Sequence, residues 1–318
     1  MIPYTETAQR PDWEQLPESL RTAIAERLGG EVASARVARS GFTQGFAAVL
    51  TTVAGFRAFV KAARLDLTVA EWYAQEARIT EALPVGVPVP RVRWATESAG
   101  YFVICLDAVD GAHMPELPWR APDLTAALDA YARTAALLTP MPAALAEFAP
   151  DPFSIVMRGT LDRWAAVLSG AAELPDPRLE PHLAELARLE RRLLDYGDAM
   201  PGVMHCDLRA DNVILDTAGA AWICDWNHLC RGPAWLDLVS LLISAVPDHD
   251  VDTLFTTHPA VAGAPDDALD ATLAGLAGYY LTQGMRPEIP NSPYVRTHQR
   301  HCGRLAIEWL ARRQKWRW

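Results

Sequence analysis

The chain has 318 residues, half of them hydrophobic, with 29 basic and 39 acidic residues for a formal charge of −10. That length leaves room for two lobes with separate cores, and the composition excludes a disordered chain. The acidic balance argues against nucleic acid as a partner, because neutralising phosphates takes clustered Lys and Arg, and mildly favours a cationic small molecule.

Residues 17–28 carry apolar side chains at Leu20, Ile24 and Leu28 and stop at Gly29-Gly30, which predicts a short amphipathic helix. Three strand-like runs follow, at 31–39, 46–53 and 56–62. The loop Ser40-Gly41-Phe42-Thr43-Gln44-Gly45 joins the first two, and two glycines four apart fit a phosphate-covering loop as well as an ordinary turn. Lys61 stands in an apolar strand between Val60 and Ala62, where a lysine needs a partner or a task. A helix at 68–83 offers Glu76 or Glu71 as that partner. The proline-rich connector at 84–90 must be extended, and strands at 91–96 and 101–106 complete five antiparallel strands with one inserted helix.

A lobe boundary is expected after residue 106, with 107–122 as a linker and 123–318 as a second, mainly helical lobe. Helical periodicity covers 123–139, 160–169, 181–196, 233–245, 266–283 and 294–313. The tail is basic and aromatic, but it ends an amphipathic helix, which favours a solvated face with Trp309 packed inward. The fold class expected is therefore α+β and bilobal. Cys105, Cys206, Cys224, Cys230 and Cys302 form no C-x-x-C pair, so free thiols are expected. With no signal-peptide pattern and no membrane-length apolar run, a soluble cytoplasmic protein is expected, with a monomer as the default.

Residues 203–226 read V-M-H-C-D-L-R-A-D-N-V-I-L-D-T-A-G-A-A-W-I-C-D-W. This pattern predicts a loop, a hairpin across a turn at 216–219, and a carboxylate at the end of its second strand. Asp207 can take a proton from an attacking hydroxyl, while Asn212 and Asp225 supply the hard oxygen ligands that Mg²⁺ prefers. Arg209 shares a face with Asp207, where it touches a transferred phosphate or forms an ion pair with Asp207 or Asp211. His205 is expected to be a buried histidine held by backbone hydrogen bonds. No Walker-type G-x-x-x-x-G-K-[ST] and no G-x-S-x-G occurs.

H-C-D-L-R-A-D-N followed by I-C-D-W resembles the catalytic and metal motifs of the aminoglycoside phosphotransferase and choline kinase-like family, whose fold is similar to protein kinases. The resemblance implies that Lys61 and Glu76 form the phosphate-binding pair and that the loop at 40–45 covers the nucleotide. It also implies that Leu106, Asp107 and Ala108 lie in the interlobe hinge that receives the base of ATP or GTP, and that Asp237 braces the catalytic loop. Two departures stand out. Cys206 replaces the usual glycine before the catalytic acid, and Asn227 stands where many relatives have a further acid. The resemblance implies a Mg²⁺-dependent transfer of the γ-phosphate to a hydroxyl of a small molecule. An aminoglycoside-like or other cationic antibiotic is the leading acceptor; Asp248, Asp250, Asp252, Asp266, Asp267 and Asp270 are candidates for attracting it, against their reading one by one as exposed loop and helix-cap carboxylates. A kinase of an amino sugar, sugar or amino alcohol is the alternative, and a catalytically silent ligand-binding module is a third reading.

Overall fold

The computed structural model describes residues 4–290 and 292–317. Parts of the N-terminal and tail readings, at residues 1–3 and 318, lie outside the described residues. Strands β1 (Val32–Val37), β2 (Phe46–Thr52), β3 (Arg57–Arg64), β4 (Val92–Ser98) and β5 (Tyr101–Asp107) form one antiparallel sheet in the order β1-β2-β3-β5-β4. Helices α1 (Glu18–Leu28) and α2 (Thr68–Ala82) pack on it. Side chains alternate along β3, so successive residues serve different helices. Val60 and Ala62 join Leu20, Ile24 and Leu28 of α1, whereas Ala63 joins Ala70, Tyr73 and Ala77 of α2. The same alternation delivers Lys61 to the α2 side.

The second half is mainly helical: α3 (Ala121–Leu138), α4 (Phe153–Val156), α5 (Arg163–Leu168), α6 (Leu183–Ala199), α7 (Ala234–Leu242), α8 (Val251–Thr257), α9 (Ala268–Gly284) and α10 (Val295–Gln314). Its central member is α9, buried almost all round because its surface is largely Ala and Gly. At Gly278 a Cβ would lie 2.8 Å from Trp164 Nε1, and that indole donates to Ala274 O at 2.7 Å. Trp309 of α10 is fully buried, as expected. The α+β bilobal architecture is the one the sequence predicts.

Several helix bounds differ. The helix expected at 160–169 starts at Arg163, because Thr160 and Leu161 first close a turn onto Met157 O. The buried Glu190 carboxylate then accepts from Trp164 N and Ala165 N at the helix start. The helix expected at 181–196 begins at Leu183, since Pro181 lies within a 3-10 turn. The one expected at 233–245 ends at Leu242 and tightens into a 3-10 turn over Ile243–Ala245. Helices α4 and α8 are too short for periodicity to reveal. Among the described residues no helix is long and apolar enough to cross a membrane, and all five cysteines are free.

Two small ribbons carry the motif at 203–226. Strand β6 (Val203–Met204) pairs with β9 (Cys230–Arg231), and β7 (Val213–Leu215) pairs with β8 (Ala221–Ile223). The β7–β8 hairpin is bonded to segments on both sides of β4 and β5. Ile223 N donates to Pro88 O at 2.7 Å, Thr217 N donates to Asp110 O at 3.1 Å, and Leu215 exchanges backbone hydrogen bonds with His113.

The acidic residues grouped in sequence at 248–270 do not form a charged surface of one kind. Asp250 caps α8 through Thr253 N, and Asp252 and Asp270 both pair with Arg313 of α10. Asp267 takes Arg192 at 2.6 Å and the Tyr196 hydroxyl at 2.5 Å. Asp248 and Asp266 are exposed. Four of the six thus have cap or ion-pair roles of their own, and Asp248 and Asp266 fit the reading as exposed loop carboxylates.

Candidate active site

A cavity of about 360 Å³ lies between the sheet and the helical half. One part of its wall is apolar, with Phe59, Val89, Leu106, Met114, Ile214 and Trp226, and Asp107 and Ala108 border it. Lys61, Glu76, Asp211 and Asp225 share the same cavity. That combination of an apolar slot with a few charged groups is typical of nucleotide-sized sites.

Lys61 Nζ donates to both Glu76 carboxylate oxygens at 2.8 Å and also to Asp225. The choice between Glu76 and Glu71 is thereby resolved, since Glu71 is exposed. Burial alone would push the Lys61 ammonium down, but Asp225 and Glu76 hold it above its usual value. Burial likewise opposes the charge of Asp225, yet Lys61 keeps that carboxyl below the ordinary range. Asp225 follows β8 with φ of 62°, a left-handed backbone that turns its carboxylate out of the hairpin.

The loop after β6 is fixed from behind. Asp237, in the first turn of α7, accepts from His205 N at 2.7 Å and Cys206 N at 3.0 Å. This is the bracing role the resemblance implies, and burial pushes the acid up to about 7 while those two donors oppose the shift. His205 Nε2 lies 2.8 Å from Cys224 O, and Asp207 N donates to His205 Nδ1 at 3.3 Å. A carbonyl can only accept and an amide N–H can only donate, so the imidazole is neutral with its proton on Nε2. Burial agrees, lowering its pKa to about 4. His205 is thus a structural histidine, as expected.

Cys206 takes the position usually held by glycine, and its φ of 68° shows why glycine suits it. A left-handed conformation costs an L-residue about 1–2 kcal/mol. Cys206→Gly is expected to stay within about 1 kcal/mol of the wild type, because relief of strain offsets the freedom glycine gains in the unfolded chain. Cys206→Val should be less stable than both, since a β-branched residue suits that backbone least. Urea denaturation midpoints of the three proteins check the order.

Asp207 keeps 39 % of its side chain open. Asn212, itself buried, donates from Nδ2 to the Asp207 backbone O at 2.7 Å and to Asp207 Oδ2 at 3.2 Å, and both residues stand beside the cavity and not among those that line it. Arg209 resolves toward the ion-pair alternative: Nε and Nη2 meet the two oxygens of Asp211 at 2.9 Å each, and Nη1 meets Asp207. Burial pushes Asp207 up to about 6, the Arg209 charge opposes it, and Asp211 and Asp225 add to it. The water that still reaches the carboxylate moderates the shift.

The loop at 40–45 is split in its placement. Gly41 lines the cavity, whereas Phe42, Thr43 and Gly45 do not. Phe42 turns toward the helical half, with its ring 5.1 Å from that of His298 and 5.5 Å from the Arg209 guanidinium. Ser292 Oγ donates to its carbonyl at 3.2 Å. Gly45 is required by close approach, because a Cβ there would lie 2.6 Å from the Tyr73 hydroxyl. Sequence reasoning missed Arg10, which lines the cavity, and the Tyr4 hydroxyl, 3.0 Å from His298 Nδ1. Neither lies in a periodic or motif-bearing stretch, so no local signal marks them.

Among solved structures, the chain is similar to the GDP complex of an aminoglycoside 2′-phosphotransferase variant, with 16 % identity, 94 % of this chain and 98 % of that one covered, and a TM-score of 0.62. A macrolide 2′-phosphotransferase from Brachybacterium faecium gives 18 % identity, coverage of 92 % and 98 %, and a TM-score of 0.56. A choline/ethanolamine kinase family protein from Mesorhizobium loti gives 16 % identity, coverage of 83 % and 87 %, and a TM-score of 0.51. At these identities the likeness establishes the fold, which is protein kinase-like. No curated protein matches the sequence. The family model described as the phosphotransferase enzyme family matches residues 34–286, a span that takes in nearly all of the sheet, most of the cavity lining and the loop of Asp207, and the chain belongs to that family.

Proposed function

We propose that this small-molecule phosphotransferase moves the γ-phosphate of ATP or GTP to a hydroxyl of its acceptor, with Asp207 as the base. The observation that carries this reading is a cavity lined by the Lys61–Glu76 pair, Asp225 and Asp211, with the Asp207–Asn212 pair on the loop beside it, tied to Asp211 through Arg209. Asn212 and Asp225 offer an amide oxygen and a carboxylate, a hard donor set that fits Mg²⁺ held jointly with nucleotide phosphates. When bound, the ion would neutralise charge on the phosphate oxygens. Lys61, held by Glu76, directs its ammonium toward those oxygens, and the apolar slot beside Leu106, Asp107 and Ala108 takes the base. Asp207 orients the acceptor hydroxyl and receives its proton, and Arg209 sets the direction of that carboxylate. Residues 1–106 and 123–318 act as the two lobes, with 107–122 between them.

The acceptor we propose first is a hydroxylated antibiotic, in line with the aminoglycoside and macrolide phosphotransferases that share the fold. The paired carboxylates at 248–270 give no independent support for a cationic one. Phosphate transfer should be measured by mass spectrometry with Mg²⁺ and ATP or GTP, across aminoglycosides, macrolides, amino sugars and amino alcohols. A modified amino sugar or amino alcohol with no modified antibiotic would replace the acceptor reading. Binding of a panel compound with no transfer to any would sink the enzymatic one.

Asp207 must be ionised to accept a proton, and its folded pKa is raised to about 6. Activity should therefore be present above that value and lost as pH falls through it. The acceptor kcat/KM is expected to drop about tenfold per pH unit on the acid side. A profile flat down to about pH 4.5 would show that Asp207 does not act as the base.

A further inference from the structure

Arg10 comes from the segment that precedes α1 and lies upstream of the family match, which begins at residue 34. It nevertheless lines the same cavity as Lys61 and Asp225. Its Nη1 donates to Gly45 O at 2.9 Å and to the Tyr73 hydroxyl at 3.4 Å, and its Nη2 to Ser40 O at 3.2 Å and Thr43 Oγ1 at 3.1 Å. All four acceptors are uncharged, and the buried Nε has no partner among the described residues. The neighbouring cations are differently placed, Arg36 on the cavity wall being exposed and the others paired with carboxylates. Lys61 is taken by Glu76 and Asp225, Arg209 by Asp207 and Asp211, and Arg39 by Asp12 at 2.7 Å. Arg10 is close enough to Asp225 to help Lys61 keep that carboxyl ionised, although no hydrogen bond joins them.

A guanidinium whose hydrogen-bond acceptors are all uncharged has no carboxylate in contact to neutralise its charge. Here that charge sits at the polar end of the cavity, beside Gly41, whose φ is 80° and where an added Cβ would lie 3.5 Å from Arg10 Nη2. The hydrogen bonds to residues 40–45 also fix the loop that borders this end. With its four terminal N–H groups already bonded, Arg10 would act on phosphate oxygens through its charge, which is felt most where little water competes.

We propose that Arg10 is a second cation for the phosphates of the bound nucleotide, supplied from outside the family domain and acting alongside Lys61. This rests on the reading of the cavity as a nucleotide site. The phosphate chain is then met from two sides, by Lys61 on β3 and by Arg10 behind the loop.

Calorimetric titration with Mg²⁺ present tests the idea, using ATP, GTP, adenosine and guanosine on wild type, Arg10→Gln and Arg10→Lys. Gln removes the charge, whereas Lys keeps it and loses most of the bonds to the loop. The expected result is a triphosphate affinity about tenfold or more weaker for Arg10→Gln, largely restored in Arg10→Lys, with nucleoside affinity unchanged in both. The wild-type triphosphate affinity should also fall more steeply with salt than that of Arg10→Gln. Equal losses in the two variants would reduce Arg10 to a strap for the loop and overturn the proposal, as would an unaltered Arg10→Gln. A wild-type protein that binds neither triphosphate would instead overturn the nucleotide reading beneath it.

Discussion

Asp207→Asn should slow phosphoryl transfer by about 10²–10⁴-fold, the usual contribution of a positioned general base. Asn has nearly the same shape, so the loop braced by Asp237 and pinned by Asn212 is expected to keep its form. The amide cannot accept the proton, and that difference should fall on kcat. The nucleotide KM should change little, because Lys61 and Asp225 lie on other elements. Steady-state kinetics with the acceptor identified by the panel would show the split. Wild-type turnover in this variant would remove Asp207 from the mechanism, whereas a loss confined to KM would make it a binding residue.

Lys61→Met is expected to damage stability and activity together, for different reasons. Methionine fills a similar volume without charge, which leaves Glu76 buried with no cation. Breaking a buried ion pair from one side costs about 3–5 kcal/mol, mostly as the penalty on the stranded partner. That is within the reserve of a domain-sized protein, so the variant should still fold, with a lower urea midpoint. Adding Glu76→Gln removes the stranded charge and should recover most of the midpoint. Activity should not return with it, because the phosphates would still lack the lysine. If the double variant recovered both, Lys61 would be a structural lysine only.

The parts of the site that can be read in advance are those whose residues are neighbours in sequence. The β6-to-β8 stretch places Asp207, Asn212 and Asp225 on one loop and one hairpin, so their spacing already encodes their meeting. The choice between Glu76 and Glu71 stays open in the sequence; the fold decides it, because Glu76 lies with Tyr73, Ala77 and Thr80 in the buried stripe of α2. The carboxylates at 248–270 mislead for the opposite reason. Being near in sequence, they look like one group, but Arg313 from α10 gathers Asp252 and Asp270, and Arg192 from α6 takes Asp267. Arg10 and Phe42 are opaque because their partners are set by tertiary folding, Arg10 through the β1–β2 loop and Phe42 through Ser292 and His298. Cys206 marks a tight turn in the sequence, and its left-handed backbone locates the cost at a single residue.

The bonds that join the β7–β8 hairpin to Pro88, Asp110 and His113 have a mechanical consequence. Pro88 lies just ahead of β4, and Asp110 and His113 lie just beyond β5, so the hairpin is moored to the chain where it enters and where it leaves the last two strands of the sheet. Asn212 and Asp225 flank that hairpin, and Cys224 N closes its base onto Asn212 O at 2.9 Å. Rotation of one half of the molecule against the other cannot carry these two residues far without tearing one of the moorings. The proposed cation site therefore sits near the pivot, where displacement is smallest.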